Sequence, residues 1–128
     1  MPHMTVDYSA NLEERIDMHG LCKTLHAAMV RTGMFEVGGI RVRALRVDHY
    51  VVADDHPCNA YVHLSLRVGA GRSLEDRKAA GEIIYAAAVD YLAELFETPH
   101  FALSFVMDEL DPTLNWKKNS MHARLRGA

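Results

Sequence analysis

The chain runs twice through the same order of elements, strand, helix, strand, and this doubling limits its fold more than any other feature. In the first half, Pro2, Met4, Val6 and Tyr8 alternate with His3, Thr5 and Asp7, which predicts a strand over residues 2–8. Asn11 has Glu14 three residues on, the spacing of a capping box, and predicts a helix start. Leu12, Ile16, Leu21, Cys22, Leu25 and Met29 follow at roughly helical spacing. His19-Gly20 interrupts that pattern and admits a short turn ahead of the main helix. Thr32-Gly33 predicts its end, because glycine takes the left-handed conformation beyond a helix at low cost. After Gly38-Gly39 a β-rich run extends from Ile40 to Val52, with arginine at 41, 43 and 46, and Asp54-Asp55-His56-Pro57 predicts a turn.

The second half repeats the order. Ala60, Val62, Leu64, Leu66 and Val68 alternate with Tyr61, His63, Ser65 and Arg67. Gly69-Ala70-Gly71-Arg72 predicts a tight exit from that strand. Ser73 caps a long helix with Asp76 at the capping-box position, and the apolar stripe runs from Leu74 to Leu95. Thr98-Pro99 ends it, and Phe101, Leu103, Phe105 and Met107 alternate in a last strand. Two β-α-β units of this kind fold most simply as an α+β domain: a four-stranded mixed sheet with both helices on one face. At 128 residues, a single domain over 1–128 is expected.

That arrangement leaves a sheet face uncovered. Its residues include Tyr61, His63, Ser65, Ala102, Ser104 and Val106, small or mildly polar where a solvated face would carry charge. Another copy of the chain is the expected cover, so a homo-oligomer is predicted; the alternative is a wet face with few charges.

The balance of charge and apolar residues narrows the function classes. A formal net charge of -3 argues against general nucleic-acid binding, which calls for a basic surface. There is no apolar run of the length a membrane span needs and no signal-peptide core. Cys22 and Cys58 stand far apart, with neither a disulfide framework nor a CxxC pair, so reduced thiols in the cytoplasm are the expectation.

Several residues carry chemistry, each beside a plainer reading. Pro2 becomes the amino terminus if Met1 is removed, and its secondary amine is then an acid/base group in a stiff ring. The plainer reading is a strand-starting residue, where a missing N–H matters least. Arg41 and Arg72 stand beside glycines at strand ends, suited to gripping carboxylates with a planar fork. Most arginines solvate loops instead. Arg43, Arg46 and Arg67 are read as salt-bridge or interface residues. Eight histidines show no HxH, HxxxH or HExxH spacing, so no metal centre is expected, although His3 and His63 lie close if their strands pair in that register. Gly69-Ala70-Gly71 lacks the lysine of a phosphate loop and the third glycine of a dinucleotide fingerprint, and reads as a turn.

Taken together, several segments resemble the 5-carboxymethyl-2-hydroxymuconate isomerase family of the tautomerase superfamily. They are Pro-His-Met-Thr-Val-Asp-Tyr-Ser from Pro2, Gly38-Gly39-Ile40-Arg41-Val42-Arg43, the run from Val62 to Ser73 ending in Gly-Ala-Gly-Arg-Ser, Ala102-Leu103-Ser104-Phe105, and Asp111-Pro112-Thr113-Leu114-Asn115-Trp116-Lys117. Trp116 stands where the family pattern has phenylalanine. The resemblance runs from residue 2 to about 124. It implies a homotrimer whose sheets surround a central barrel, with Pro2 at the base of a pocket near subunit boundaries. It implies isomerisation of a dienol tricarboxylate to its conjugated 2-oxo tautomer in homoprotocatechuate breakdown, with no metal or organic cofactor. By the same resemblance, Pro2 carries the proton while Arg41 and Arg72 complete the catalytic set. A related tautomerase of another small enoate, or a trimeric binding module that kept the fold, remain as alternatives.

Overall fold

The computed structural model describes residues 1–127. Its elements are β1 (His3–Ser9), α1 (Met18–Arg31), β2 (Arg41–Val47), β3 (Ala60–Gly69), α2 (Leu74–Tyr91), β4 (Phe101–Leu110) and α3 (Met121–Gly127). The four strands form one mixed sheet in the order β2-β1-β3-β4. β1 pairs parallel with β2 and antiparallel with β3, and β3 pairs parallel with β4. This is the four-stranded mixed sheet expected from two strand-helix-strand halves.

Period-2 patterning decides which face is buried. Met4, Val6 and Tyr8 of β1 lie in register with Leu66, Leu64 and Val62 of β3, and all six are buried. Beneath them pack Leu21, Leu25 and Met29 of α1 and Ile84 and Ala88 of α2, in one continuous core. Each such large aliphatic side chain contributes about 1.5–3 kcal/mol over its exposed state. Both long helices therefore share one face. The opposite face carries Tyr61, His63, Ser65, Ala102, Ser104 and the half-exposed Val106, as the alternation predicts. Its β1–β2 half is more charged than expected, with His3, Asp7, Arg41 and Arg43 in adjacent register.

Two local expectations are corrected. Asn11 does not cap α1: its amide donates to the Asn59 carbonyl at 2.8 Å and its oxygen accepts from the Ser9 hydroxyl at 2.7 Å. Residues Ala10–Leu12 form a 3₁₀ turn, and Asp17 caps the helix by accepting from the Gly20 N–H at 3.0 Å. A Cβ at Gly20 would press on the Tyr91 hydroxyl where α1 crosses α2, so a larger residue there displaces that side chain. His3 and His63 do not meet: His3 pairs with Arg67, and His63 stands opposite Asp7 and bonds Ser104 at 2.6 Å.

Other boundaries agree or shift slightly. Ser73 caps α2, accepting from the Asp76 N–H at 3.1 Å, and Gly33 past the end of α1 has φ +68°. α2 ends at Tyr91 and continues as a 3₁₀ turn over Ala93–Glu97 before Thr98. β2 stops at Val47, short of Val52. Arg46 and Arg67 form surface ion pairs with Asp48 and Asp108, at 3.0 and 3.4 Å. Among the described residues no helix is long and apolar enough to cross a membrane.

Candidate active site

The strand directions decide what gathers at one end of the sheet. β1 and β2 are parallel, so both begin there; β3 and β4 run the other way, so both finish there. That end collects Pro2 before β1, Arg41 at the start of β2, the Gly69–Arg72 loop after β3, and the tail after β4.

Pro2 is buried. Its carbonyl accepts from the Arg41 N–H at 3.1 Å, which extends the β1–β2 ladder by one rung. The ring needs no donor at this first position, so proline costs the sheet nothing. The Arg41 side chain turns back toward the start of β1: Nη1 donates to the Gly39 carbonyl at 2.9 Å and meets Met1 Sδ at 3.1 Å.

Arg72 is held more firmly. Gly71 has φ +110°, a conformation open to glycine, and this turns the chain so that the next side chain folds inward. Nη1 donates to the Gly69 carbonyl at 3.2 Å and Nη2 to the Met34 carbonyl at 2.9 Å. The guanidinium lies 5.3 Å from the Phe35 ring centroid, in cation–π range.

The Met1 amino group reports the electrostatics of this end. Partial burial, then the Lys117 ammonium, then the guanidiniums of Arg72 and Arg41 hold its pKa below the ordinary value. Both causes disfavour an added positive charge. His3 is likewise held low, by burial first and then by Arg41 and Arg43. An amine placed here is biased toward its neutral form, and an anion toward binding.

The geometry thus brings Pro2, Arg41 and Arg72 to one place and adds Lys117. The sequence carries a signal for Lys117 only in its tail segment, because an exposed lysine beyond the last strand has no periodicity to mark it. The tail also supplies α3, whose His122 packs against Gly38 and Gly39. A groove of about 630 Å³ runs between α2 and β4, lined by Arg77, Glu82, Tyr85, Phe105 and Met107, and not by Pro2, Arg41 or Arg72. Among the described residues no three His, Cys, Asp or Glu side chains converge as a metal site requires.

An open four-stranded mixed sheet with two long helices on one face and a cationic strand end around residue 2 define the class of fold. A fused 4-OT symmetric trimer shares that fold at TM-score 0.65 and 14% identity, over 91% of this chain and 93% of that one. Nearer likenesses are specific. The family model of 5-carboxymethyl-2-hydroxymuconate isomerase matches residues 2–125. The 5-carboxymethyl-2-hydroxymuconate Delta-isomerase of Escherichia coli is 43% identical over 123 residues, 96% of this chain and 98% of that protein. The crystal structure of a 5-carboxymethyl-2-hydroxymuconate isomerase from Deinococcus radiodurans R1 superposes at TM-score 0.91 with 40% identity, covering 98% of this chain and 94% of that one. The chain belongs to the 5-carboxymethyl-2-hydroxymuconate isomerase family.

Proposed function

We propose that this isomerase interconverts 5-carboxymethyl-2-hydroxymuconate and its conjugated 2-oxo tautomer without a cofactor, in cytoplasmic breakdown of homoprotocatechuate. The amine of Pro2, freed by loss of Met1, is the proton carrier. Arg41 and Arg72 bind substrate carboxylates, and Lys117 adds a cation beside them. The observation that carries this reading is the chain start itself, partly buried and set among Lys117, Arg72 and Arg41.

The chemistry follows from charge. An ordinary α-amino group titrates near 7.7–8.0 and is mostly protonated at neutral pH. Burial and neighbouring cations favour the neutral amine, which is the form that accepts a proton. The amine takes the proton of the substrate's enol hydroxyl and leaves a dienolate whose negative charge spreads along the conjugated carbons. The ammonium then gives that proton to a chain carbon, and the double bonds settle as the conjugated ketone. One proton is taken and one returned, so the amine is regenerated and no redox partner enters. Guanidiniums placed beforehand stabilise the dienolate without reorganising, and their forks fix the carboxylates bidentately.

A homotrimer completes the proposal. The sheet face opposite the helices leaves Leu45 and Val106 about half exposed, at 49% and 50%, Val106 beside Ser65 and Ser104 and Leu45 beside Asp7. A face of this kind is covered by a second copy at modest desolvation cost.

Ultraviolet absorbance of the tautomer pair, followed with mono-, di- and tricarboxylate substrates, tests the reading. The tricarboxylate is expected to turn over fastest. Equal kcat/KM for the monocarboxylate would contradict the cationic grip.

A further inference from the structure

We propose that His122 is a positioning residue for the amino-terminal proline, packing on the Gly38-Gly39 turn and closing the space beside the proline ring. This rests on the reading of Pro2 as proton carrier and adds a component from the far end of the chain.

α3 has no buried residue, so the hydrophobic core does not hold it in place. Polar contacts do, and they converge on the turn Val37–Gly39 and the residue before it. Arg126 donates through Nε and Nη2 to the two carboxylate oxygens of Glu36, a fork-to-fork pair. Asn119 donates to the Gly38 carbonyl at 2.7 Å and accepts from the Met121 N–H at 2.7 Å. His122 Nδ1 is sealed from solvent and 3.1 Å from Glu36 Oε2, out of line for a hydrogen bond. A helix with nothing in the core is thus fastened at several points to three residues beside the proline.

Close packing transmits the hold. A Cβ at Gly38 would stand 2.7 Å from His122 Nδ1 and 3.2 Å from the His122 backbone nitrogen, so only glycine lets the ring approach. A Cβ at Gly39 would stand 3.6 Å from His122 Cε1 and 3.5 Å from Pro2 Cδ. Imidazole and proline ring therefore border the same open side of Gly39. The same turn presents the Gly39 carbonyl to Arg41 Nη1 at 2.9 Å. Loss of the imidazole opens space beside the proline ring and loosens an anchor of Arg41 together.

The test compares wild type, Pro2→Ala, His122→Ala, His122→Asn and Gly38→Ala for kcat and KM across pH. His122→Ala is expected to lower kcat about 10- to 100-fold, the scale of a displacement near 1 Å at a reacting group. It also admits water to the amine, so the acid limb of kcat/KM moves to higher pH while Arg41, Arg72 and Lys117 remain in place. His122→Asn keeps an atom at the position of Nδ1 on Gly38 but lacks Cε1, so it is expected to recover only part of the loss. Gly38→Ala pushes the ring away from the other side and reproduces the His122→Ala profile. His122→Ala within twofold of wild type, with Pro2→Ala inactive, overturns the role of His122 and leaves the proline reading intact. Pro2→Ala as fast as wild type overturns both. Hydrogen exchange at the Gly39 and Arg41 amides needs no substrate and serves if His122→Ala does not fold. It is expected to be at least tenfold faster in Gly38→Ala, and unchanged exchange overturns the proposal.

Discussion

The backbone N–H of Arg41 donates to the carbonyl of Pro2 at 3.1 Å, so the second residue of the chain and the first of β2 share a rung of the sheet. The main chain makes that bond, so it survives any change of the arginine side chain. Arg41→Ala is therefore expected to keep the fold, with a melting temperature near wild type. It loses a charge-assisted carboxylate contact of about 1.5–3 kcal/mol, a drop of about 10- to 100-fold in kcat/KM. Arg41→Lys restores part of this, since a point charge lacks the fork. Steady-state kinetics and a thermal melt check both parts.

Arg72 behaves differently because its side chain ties three segments together. Arg72→Ala frees the Gly69 and Met34 carbonyls and uncovers Phe35. Both activity and stability are expected to fall, the latter by about 1–2 kcal/mol. Denaturant melts of the two arginine variants side by side separate a binding role from one that also braces the loop.

The pH dependence follows from the amine. With the Pro2 amine as the proposed base, its protonated form is inactive, and kcat/KM is expected to fall as pH drops through its pKa. Burial and the cations Lys117, Arg72 and Arg41 lower the pKa at the chain start. The acid limb is thus expected below the ordinary α-amino range of about 7.7–8.0. Lys117→Ala removes a lowering cation and moves the limb to higher pH. An unmoved limb places Lys117 outside the field of the amine.

Alkaline titration examines the sheet away from the site. Burial and then the bond to Asp7, made at 2.6 Å, push the Tyr61 phenol up to about 12. Burial and the Glu13 carboxylate do the same for Tyr8. Both are raised above their unfolded value of about 10. Their stabilising contribution is complete below pH 10 and lost as pH rises toward 12. Burial raises the Tyr91 phenol as well, so phenolate absorbance is expected to show three tyrosines titrating above the ordinary range, and Tyr61→Phe removes one of them.

The proposed assembly gives a further expectation. Leu45 and Val106 lie half exposed on the face opposite the helices. Leu45→Glu with Val106→Lys is expected to reduce the sedimenting mass from three chains to one while far-ultraviolet circular dichroism stays unchanged. Retention of a three-chain mass locates the interface elsewhere.

Much of the sheet was legible because period-2 alternation is local: Val62, Leu64 and Leu66 declare their face without reference to the rest of the chain. Ser73 was legible for the same reason, with its partner three residues on. Asn11 has the same spacing, yet a tertiary bond to Asn59, 48 residues away, takes its side chain, and no local pattern records that competition. α3 was not foreseen because a seven-residue helix without a buried side chain leaves no apolar stripe. Pro2 could be named from its place behind Met1, Arg41 and Arg72 from their glycine neighbours, and all three from the family resemblance. Their convergence, and the arrival of Lys117 and His122 beside them, follow from strand directions that appear only in three dimensions.

The most direct test is the turnover of Pro2→Ala, with the amino-terminal mass of each preparation confirming that Met1 is absent. A primary amine in a flexible residue replaces the stiff secondary amine, while Arg41 and Arg72 remain. Isomerisation of 5-carboxymethyl-2-hydroxymuconate is expected to fall about 100-fold or more, the scale of losing a positioned acid/base group, with KM changed little. A Pro2→Ala protein that isomerises as fast as wild type contradicts the account.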